Sequence, residues 1–521
     1  MAQYASSLAW DSPLLACAAA PAVPLMSPSC TSPQNLDSPQ EPSRDTMSPG
    51  SGRGSPGRAG ERRPIPRDVG RFAVQVAQTI ETQVRRTYRS LFETGGHFWR
   101  SQGANALATN QDMSSRTEKA RPSFVEFVII ISLMMSLTAM SIDAMLPALS
   151  HIGSDLGVQN ANDRQLVVSV IFVGIAFGQL FFGPLSDAIG RKPAIYLGYA
   201  LFVAGALVSA TAASFTTLLA GRMLQGFGAS APRAITLALV RDRYEGRAMA
   251  RVMSFVMSVF ILVPMVAPTL GQGVLLFSGW RGIFGGFVLM ALITLVWFGL
   301  RIPETLAPEN QAPFSARRIW DATLEIVRNR TAIGYTVSAG LVSGAFIGYL
   351  NSSQQIFQEQ YALGELFPLI FGIISLSIGL ASLLNTRLVM RFGMRFLVQW
   401  SLVIIVGLSI LALAVALVAA GQPPLWLFMA YIMLTFFCVG ILFGNQNSLA
   451  MEPLGHLAGM GSAIVGSLST LISMPLGTII GQSYNGTVLP LIAGLAILSG
   501  LALLVVRWVE AKQGLVPNPA E

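Results

Sequence analysis

Gly183-Pro184-Leu185-Ser186-Asp187-Ala188-Ile189-Gly190-Arg191-Lys192-Pro193 is a compact charged turn set between two long apolar runs, 164–186 and 193–213. Its glycines permit a tight reversal and close approach of the flanking segments. Asp187, Arg191 and Lys192 supply charges that can pair with neighbouring helix ends. A turn this polar between runs of about 20 apolar residues reads as a surface loop joining two bilayer-spanning helices. Outward from it lie ten more such runs, at 124–147, 216–239, 249–277, 281–300, 332–355, 367–386, 396–419, 425–449, 460–483 and 488–508.

Composition agrees with that reading. The 521 residues are 52% hydrophobic and only 12% charged, whereas a soluble domain carries about 25% charged residues as surface. A soluble enzyme is therefore excluded. Cys17, Cys30 and Cys438 are too scattered for a disulfide framework or a metal site, and no cofactor motif is present. The net charge of +8 would suit nucleic acid if it were clustered on a soluble face. Instead, nineteen of the twenty-three Lys/Arg from residue 114 onward fall in the N-terminal approach, the even-to-odd loops and the C-terminal tail. Such asymmetry predicts an even number of spans with both termini cytoplasmic, and no nucleic-acid partner.

Residues 1–112 are rich in Ser, Pro, Gly and Ala and predict a largely disordered extension. Within it, 67–92 has apolar residues every three or four positions interleaved with arginines, the pattern of a basic amphipathic helix. The remainder divides into pieces of equal length, 124–300 and 332–508, joined by a polar, charged loop at 301–331 and followed by a 509–521 tail. Basic loops and prolines recur at matching depths in both pieces. Duplicated six-helix bundles of this kind move a solute by alternating access around a midplane site.

Three intramembrane features carry candidate chemistry. Asp143, in Ser141-Ile142-Asp143-Ala144-Met145-Leu146-Pro147, is the acid deepest in the apolar stretches of the first half. A carboxylate there costs several kcal/mol, so it is protonated or paired, unless it lies near the interface and merely solvates the helix end. Arg222 opens a run in which Gly226, Ala229 and Arg233 share its face. Its guanidinium needs an acceptor, and Asp143 is the expected one; snorkelling or a structural pair are the alternatives. Pro264, Pro268 and Gly271 in the fifth span bend the helix and free backbone carbonyls.

The turn quoted above resembles the loop between helices two and three of the major facilitator superfamily, G-x-L-x-D-x-x-G-R-K/R, at every fixed position. The resemblance implies that Gly183, Asp187, Gly190, Arg191 and Lys192 form a cytoplasmic gate, with Asp187 holding the outward-facing state. It also implies that the Pro264–Gly271 stretch is the antiporter helix of proton-coupled exporters, with Ala267 in place of the usual first glycine. Asp143 with Pro147, Arg222 with Gln225-Gly226, Arg241-Asp242 with Glu245-Gly246, Gly279-Trp280-Arg281, Pro303-Glu304-Thr305 and Glu452-Pro453-x-Gly455-His456 together are similar to the bicyclomycin/chloramphenicol-resistance (Bcr/CflA) branch. Met145 and Arg233 depart from that branch.

In the second half, Tyr349, Asn351, Gln355, Asn445 and Gln446 form polar clusters that, with Phe346 and Arg233, either line a mixed cavity or act as interhelical glue. The resulting expectation is an all-α membrane protein of twelve transmembrane helices in two bundles, the major facilitator fold. It would be a monomer in the bacterial inner membrane that exchanges protons for small amphipathic drugs. Export of one physiological metabolite or amino acid by the same fold is the alternative.

Overall fold

The computed structural model describes residues 122–511, where every regular element is helical. The expectations for 1–112, including the basic helix at 67–92, and for all but the first residues of the 509–521 tail lie outside the described residues.

Helix α1 (Phe124–Asp143) is capped by the Ser123 hydroxyl, which accepts the Glu126 N–H at 3.2 Å. It ends at Asp143, where Pro147 four residues on has no N–H to donate to the Asp143 carbonyl. The chain passes through a tighter turn at Leu146–Ala148 and resumes as a short helix, Leu149–Asp155. There follow α2 (Leu166–Ile189), α3 (Arg191–Ala210), α4 (Phe215–Arg243), α5 (Gly246–Arg301), α6 (Ala316–Arg328), α7 (Arg330–Gln354), α8 (Phe367–Phe392), α9 (Met394–Val418), α10 (Leu425–Met451), α11 (Ala458–Gln482) and α12 (Leu489–Ala511).

Among the described residues, ten helical stretches are long and apolar enough to cross a bilayer. Helix α4 is not among them, since Arg222, Arg233, Arg241, Asp242 and Arg243 dilute its apolar content. Helix α5, at 56 residues, would reach about 84 Å if straight. It does not run straight. Gly279 adopts φ 68°, ψ −177°, a positive-φ conformation outside the helical region and open to glycine alone among common residues. The legs on either side, 246–278 and 280–301, fold back on each other. Arg251 and Phe255 from the first leg lie against the Phe124 ring, and Arg301 at the end of the second donates to Glu126 Oε2 at 2.8 Å. Both ends of α5 thus meet the start of α1. We call this end the basic face, and the end holding Gly279 the far face.

The α2–α3 and α8–α9 junctions are single glycines of matching backbone geometry, Gly190 (φ 99°, ψ 160°) and Gly393 (φ 78°, ψ 156°). The 301–331 segment is more ordered than a loop. It contains α6, capped by Ser315 and separated from α7 by Asn329 alone, whose side chain accepts the Ala332 N–H at 3.0 Å. Ala322 and Ile326 are the residues α6 buries, and the helix packs on α7 and α11. Large apolar side chains such as Leu300, Leu411, Val418 and Leu504 point outward, as a lipid-solvated surface requires.

Candidate functional site

The break in α1 creates the first element of the site. With the helix ending at Asp143, the Met145 N–H donates to the Ile142 carbonyl instead of to Ser141. The Ser141 carbonyl is left free, and Arg222 Nη2 donates to it at 2.9 Å. The same guanidinium donates through Nε to the Val167 carbonyl at 3.0 Å and through Nη1 to Gln225 Oε1 at 2.8 Å, while lying over the Phe284 ring. Arg222 is fully buried. The expected Asp143–Arg222 ion pair is therefore not formed: three neutral acceptors on α1, α2 and α4 satisfy the cation.

Asp143 is 6% exposed, and among the described residues its carboxyl group has neither a hydrogen bond nor an ion pair. Tyr349 of α7, the helix that packs beside the turn after Asp143, has a buried hydroxyl that also lacks a hydrogen-bond partner. Tyr349 stacks on Phe371 at 5.8 Å and meets Phe436 edge-on at 4.6 Å. Phe346 and Phe443 extend this aromatic wall. From the other side, the first leg of α5 closes on the break: a Cβ on Gly271 would lie 2.0 Å from the Ala144 carbonyl oxygen. Pro264 and Pro268 lie in the same leg, and Gly372 of α8 comes up against Met265 between them. Arg233, on the Arg222 face of α4, is exposed.

The other polar candidates make hydrogen bonds across helix seams. Asn351 Nδ2 donates to Ser169 Oγ at 2.9 Å and to the Gly477 carbonyl at 3.1 Å, joining α7 to α2 and α11. Gln355 Nε2 donates to Asn162 Oδ1 at 3.0 Å, and its Oε1 accepts from Gln165 Nε2. Asn445 exchanges amide bonds with Asn385, and Gln446 donates to Ser338 Oγ at 2.7 Å. Around Gln355 the far face is sealed: Asn162 Nδ2 donates to the Gln482 and Tyr484 carbonyls at 2.9 Å, and Arg164 pairs with Glu359 at 3.1 Å. The sequence reading gave Asn162, Arg164, Gln165 and Glu359 no role. The polar run just before the second span, Asn160 to Gln165, was the available signal.

The charged turn is bonded to the first half and to the 301–331 segment that follows it. Arg191 Nη1 donates to Asp187 Oδ1 and, at 2.8 Å, to Ser186 Oγ; its Nε reaches Asp242 at the end of α4, at 3.2 Å. Lys192 Nζ donates to the Gly299 carbonyl at 3.0 Å. Gly183 faces Ala463 of α11, and Gly190 makes the turn itself. No hydrogen bond or ion pair joins Asp187 to α7–α12 among the described residues.

Glu304 and Asp242 were quoted in the sequence only as parts of a resemblance, yet they organise this turn. The Glu304 carboxylate accepts N–H bonds from Arg191, Lys192, Thr305 and Leu306 at 2.9–3.0 Å, capping α3 from a distant segment. Burial works to raise the Glu304 pKa, but the N–H groups of Leu306, Lys192, Arg191 and Thr305 outweigh it and hold the carboxyl below its usual range. Because the folded-state value is the depressed one, the stabilisation is complete at neutral pH and is lost as pH falls through that value. Glu304→Gln should lower stability at pH 7 by about 1 kcal/mol, as loss of a cap does. Thermal melts of the two proteins should converge only as the pH falls through that depressed value and the wild-type carboxyl takes its proton; equal melts at pH 7 would refute the capping role.

A family model described as Major Facilitator Superfamily matches residues 131–478. The chain belongs to the major facilitator superfamily. Members of this superfamily are transporters, not enzymes. An uncharacterized MFS-type transporter, YdgK, of Bacillus subtilis (strain 168) is 31% identical over 356 residues, covering 68% of this chain and 87% of that protein. A bicyclomycin resistance protein homolog of Haemophilus influenzae is 28% identical over 370 residues, covering 70% and 91%. Among solved structures, the xylose transporter XylE from E. coli, in a partially occluded inward open conformation, superposes with a TM-score of 0.59 at 13% identity, covering 74% of this chain and 97% of that one. That likeness shows the major facilitator fold alone.

Proposed function

We propose that this major facilitator protein is a proton-coupled exporter of small amphipathic compounds, working as a monomer in a bacterial inner membrane with the basic face and both termini cytoplasmic. In this reading the two legs of α5 and the whole of α4 complete twelve crossings. These form two six-helix bundles, 124–300 and 332–508, with 301–331 as the linker. The matching glycine junctions at Gly190 and Gly393 support the duplication.

One observation carries the proposal: Asp143 is a buried carboxyl without a fixed partner, at a helix break. A group tied to a permanent cation would have no reason to exchange protons; an unpaired one must gain a proton or release it as water reaches it. Each rocking step re-exposes it to a different side. The sealed far face and the unbridged Asp187 support a conformation open towards the basic face, with Asp187 left to form its gating contact in the other state. Phe346, partly exposed and backed by the buried Tyr349 and Phe436 rings, offers an apolar surface for substrates, and the drug-resistance name of the Haemophilus relative accords with this. One proton moving inward across the membrane is worth roughly 2.3 kcal/mol per 100 mV.

Purified protein in proteoliposomes, loaded with a pH dye and challenged with a panel of unrelated amphipathic drugs, should show proton movement opposite to drug movement for several of them. A response to a single physiological metabolite would favour the dedicated exporter, and no coupled proton flux with any compound would overturn the proposal.

A further inference from the structure

Helix α4 touches a different neighbour on each side. Gly228 and Ala231 face α3, Gly226 and Ser230 face α2, and the Ala229 carbonyl accepts the Thr138 hydroxyl of α1 at 3.0 Å. At about 100° per residue, Arg233 projects between the α1 and α2 directions, towards the interior and the second half. Although α4 is packed against α1, α2 and α3 on this side, the Arg233 side chain is exposed. Both are true of a group lining an internal cleft. No hydrogen bond, ion pair or ring contact engages it among the described residues. Asp143 lies about 13 Å away along the bundle, nine residues of rise when Thr138 is set level with Ala229.

A second unengaged donor lies at a similar depth on α2. Gln179 on α2 is 5% exposed, and its Nε2 has no acceptor. The preceding Gly178 packs on Ser230, so α2 and α4, which run in the same direction, place Gln179 within one turn of Arg233. Its Oε1 is turned towards Gly466 of α11, at the seam between the halves.

We propose that Arg233 and Gln179 form an anion-binding subsite, so that the preferred substrates carry a carboxylate or comparable anionic group. The role in transport rests on the exporter reading above; the subsite itself does not. A guanidinium solvated only by cleft water gains a two-pronged, charge-assisted contact when a carboxylate replaces that water, and the Gln179 amide supplies a third N–H. A neutral amide offers a single acceptor, and an amine sets its own donors against both groups. The proline-glycine stretch, Asp143 and Arg222 take no part in this selection.

The test uses three fluorescent probes that differ at one group: dansylglycine, dansylglycinamide and the dansyl-ethylenediamine cation. Binding to purified full-length protein, read by dansyl fluorescence, should favour the acid over the amide by about tenfold and over the amine by more. Arg233→Gln should bring the acid-to-amide ratio close to one, Arg233→Lys should keep most of it, and Gln179→Leu should reduce it a few-fold. In proteoliposomes the same ratio should appear mainly in KM. A merely structural Arg233 would weaken all three probes alike. Equal affinity of the wild type for acid and amide, or a ratio unchanged by Arg233→Gln, overturns the subsite. Acid-selective binding without pH-driven movement of any probe upholds the subsite and refutes the exporter reading instead.

Discussion

Asp143→Asn is expected to abolish drug accumulation driven by a pH gradient, by a hundredfold or more in initial rate, while leaving the protein folded and monodisperse. The asymmetry between function and stability is the informative part. Because Asp143 makes no hydrogen bond or ion pair, the isosteric amide removes no contact. It also relieves the chain of a group whose ionised form is costly so far from water. The melting temperature should therefore hold or rise. Exchange of labelled for unlabelled drug, which needs no net proton movement, should persist in the variant, and its rate should lose its dependence on pH. Export indistinguishable from wild type under a pH gradient would place the coupling elsewhere. A variant that unfolds would contradict the absence of contacts.

Gly271→Val is expected to be the most disruptive single change in the first leg of α5, and Gly273→Ala, two residues on, to be harmless. A Cβ at position 271 would sit 2.0 Å from the Ala144 carbonyl oxygen, whereas nothing lies within 4 Å of one at 273. The obstacle at 271 is backbone, so relief requires α5 to move away from α1 just where α1 breaks. Overpacking of this sort costs typically 1–3 kcal/mol and sometimes more. It would also shift the loop that presents Asp143. Gly273→Ala exchanges a flexible helical residue for the best helix former and should gain up to about 1 kcal/mol. Thermal melts of both variants in detergent, with transport beside them, would decide the matter; equal behaviour would mean that α1 and α5 are not in such close contact.

Much of the architecture was legible because membrane helices announce themselves through unbroken apolar runs. The predicted boundary between 277 and 281 brackets the break at Gly279, although a single hydrogen-bonded helix is traced across it. The fourth run, 216–239, reads as a span from its apolar residues, yet the charges of α4 keep this helix out of the ten described stretches that are apolar enough to cross a bilayer. Partnerships were harder to read. Arg222 was matched to Asp143 because a cation calls for an anion, but its acceptor on α1 is the Ser141 carbonyl, left free where the helix breaks, and local periodicity carries no record of backbone groups that lose their usual partner. Likewise Asn351, Gln355, Asn445 and Gln446 look alike in sequence, and whether each faces a seam or a cavity depends on residues 60 to 193 positions away. Asp242 and Glu304 follow the same logic, being conspicuous only once the turn they hold is folded.

The far-face closure has a consequence for turnover. It is made largely of side-chain amides, from Asn162, Gln165, Asn351, Gln355 and Gln482, with a single ion pair at its rim. An amide that leaves such a partner finds a water molecule of nearly equal worth, so net differences of about 1 kcal/mol per bond are the rule. A greasy plug would have to be wetted all at once. This zipper can instead come undone bond by bond, with little free-energy drop in either direction, so that occupancy of the binding centre, rather than the strength of the lid, decides which side the protein opens to.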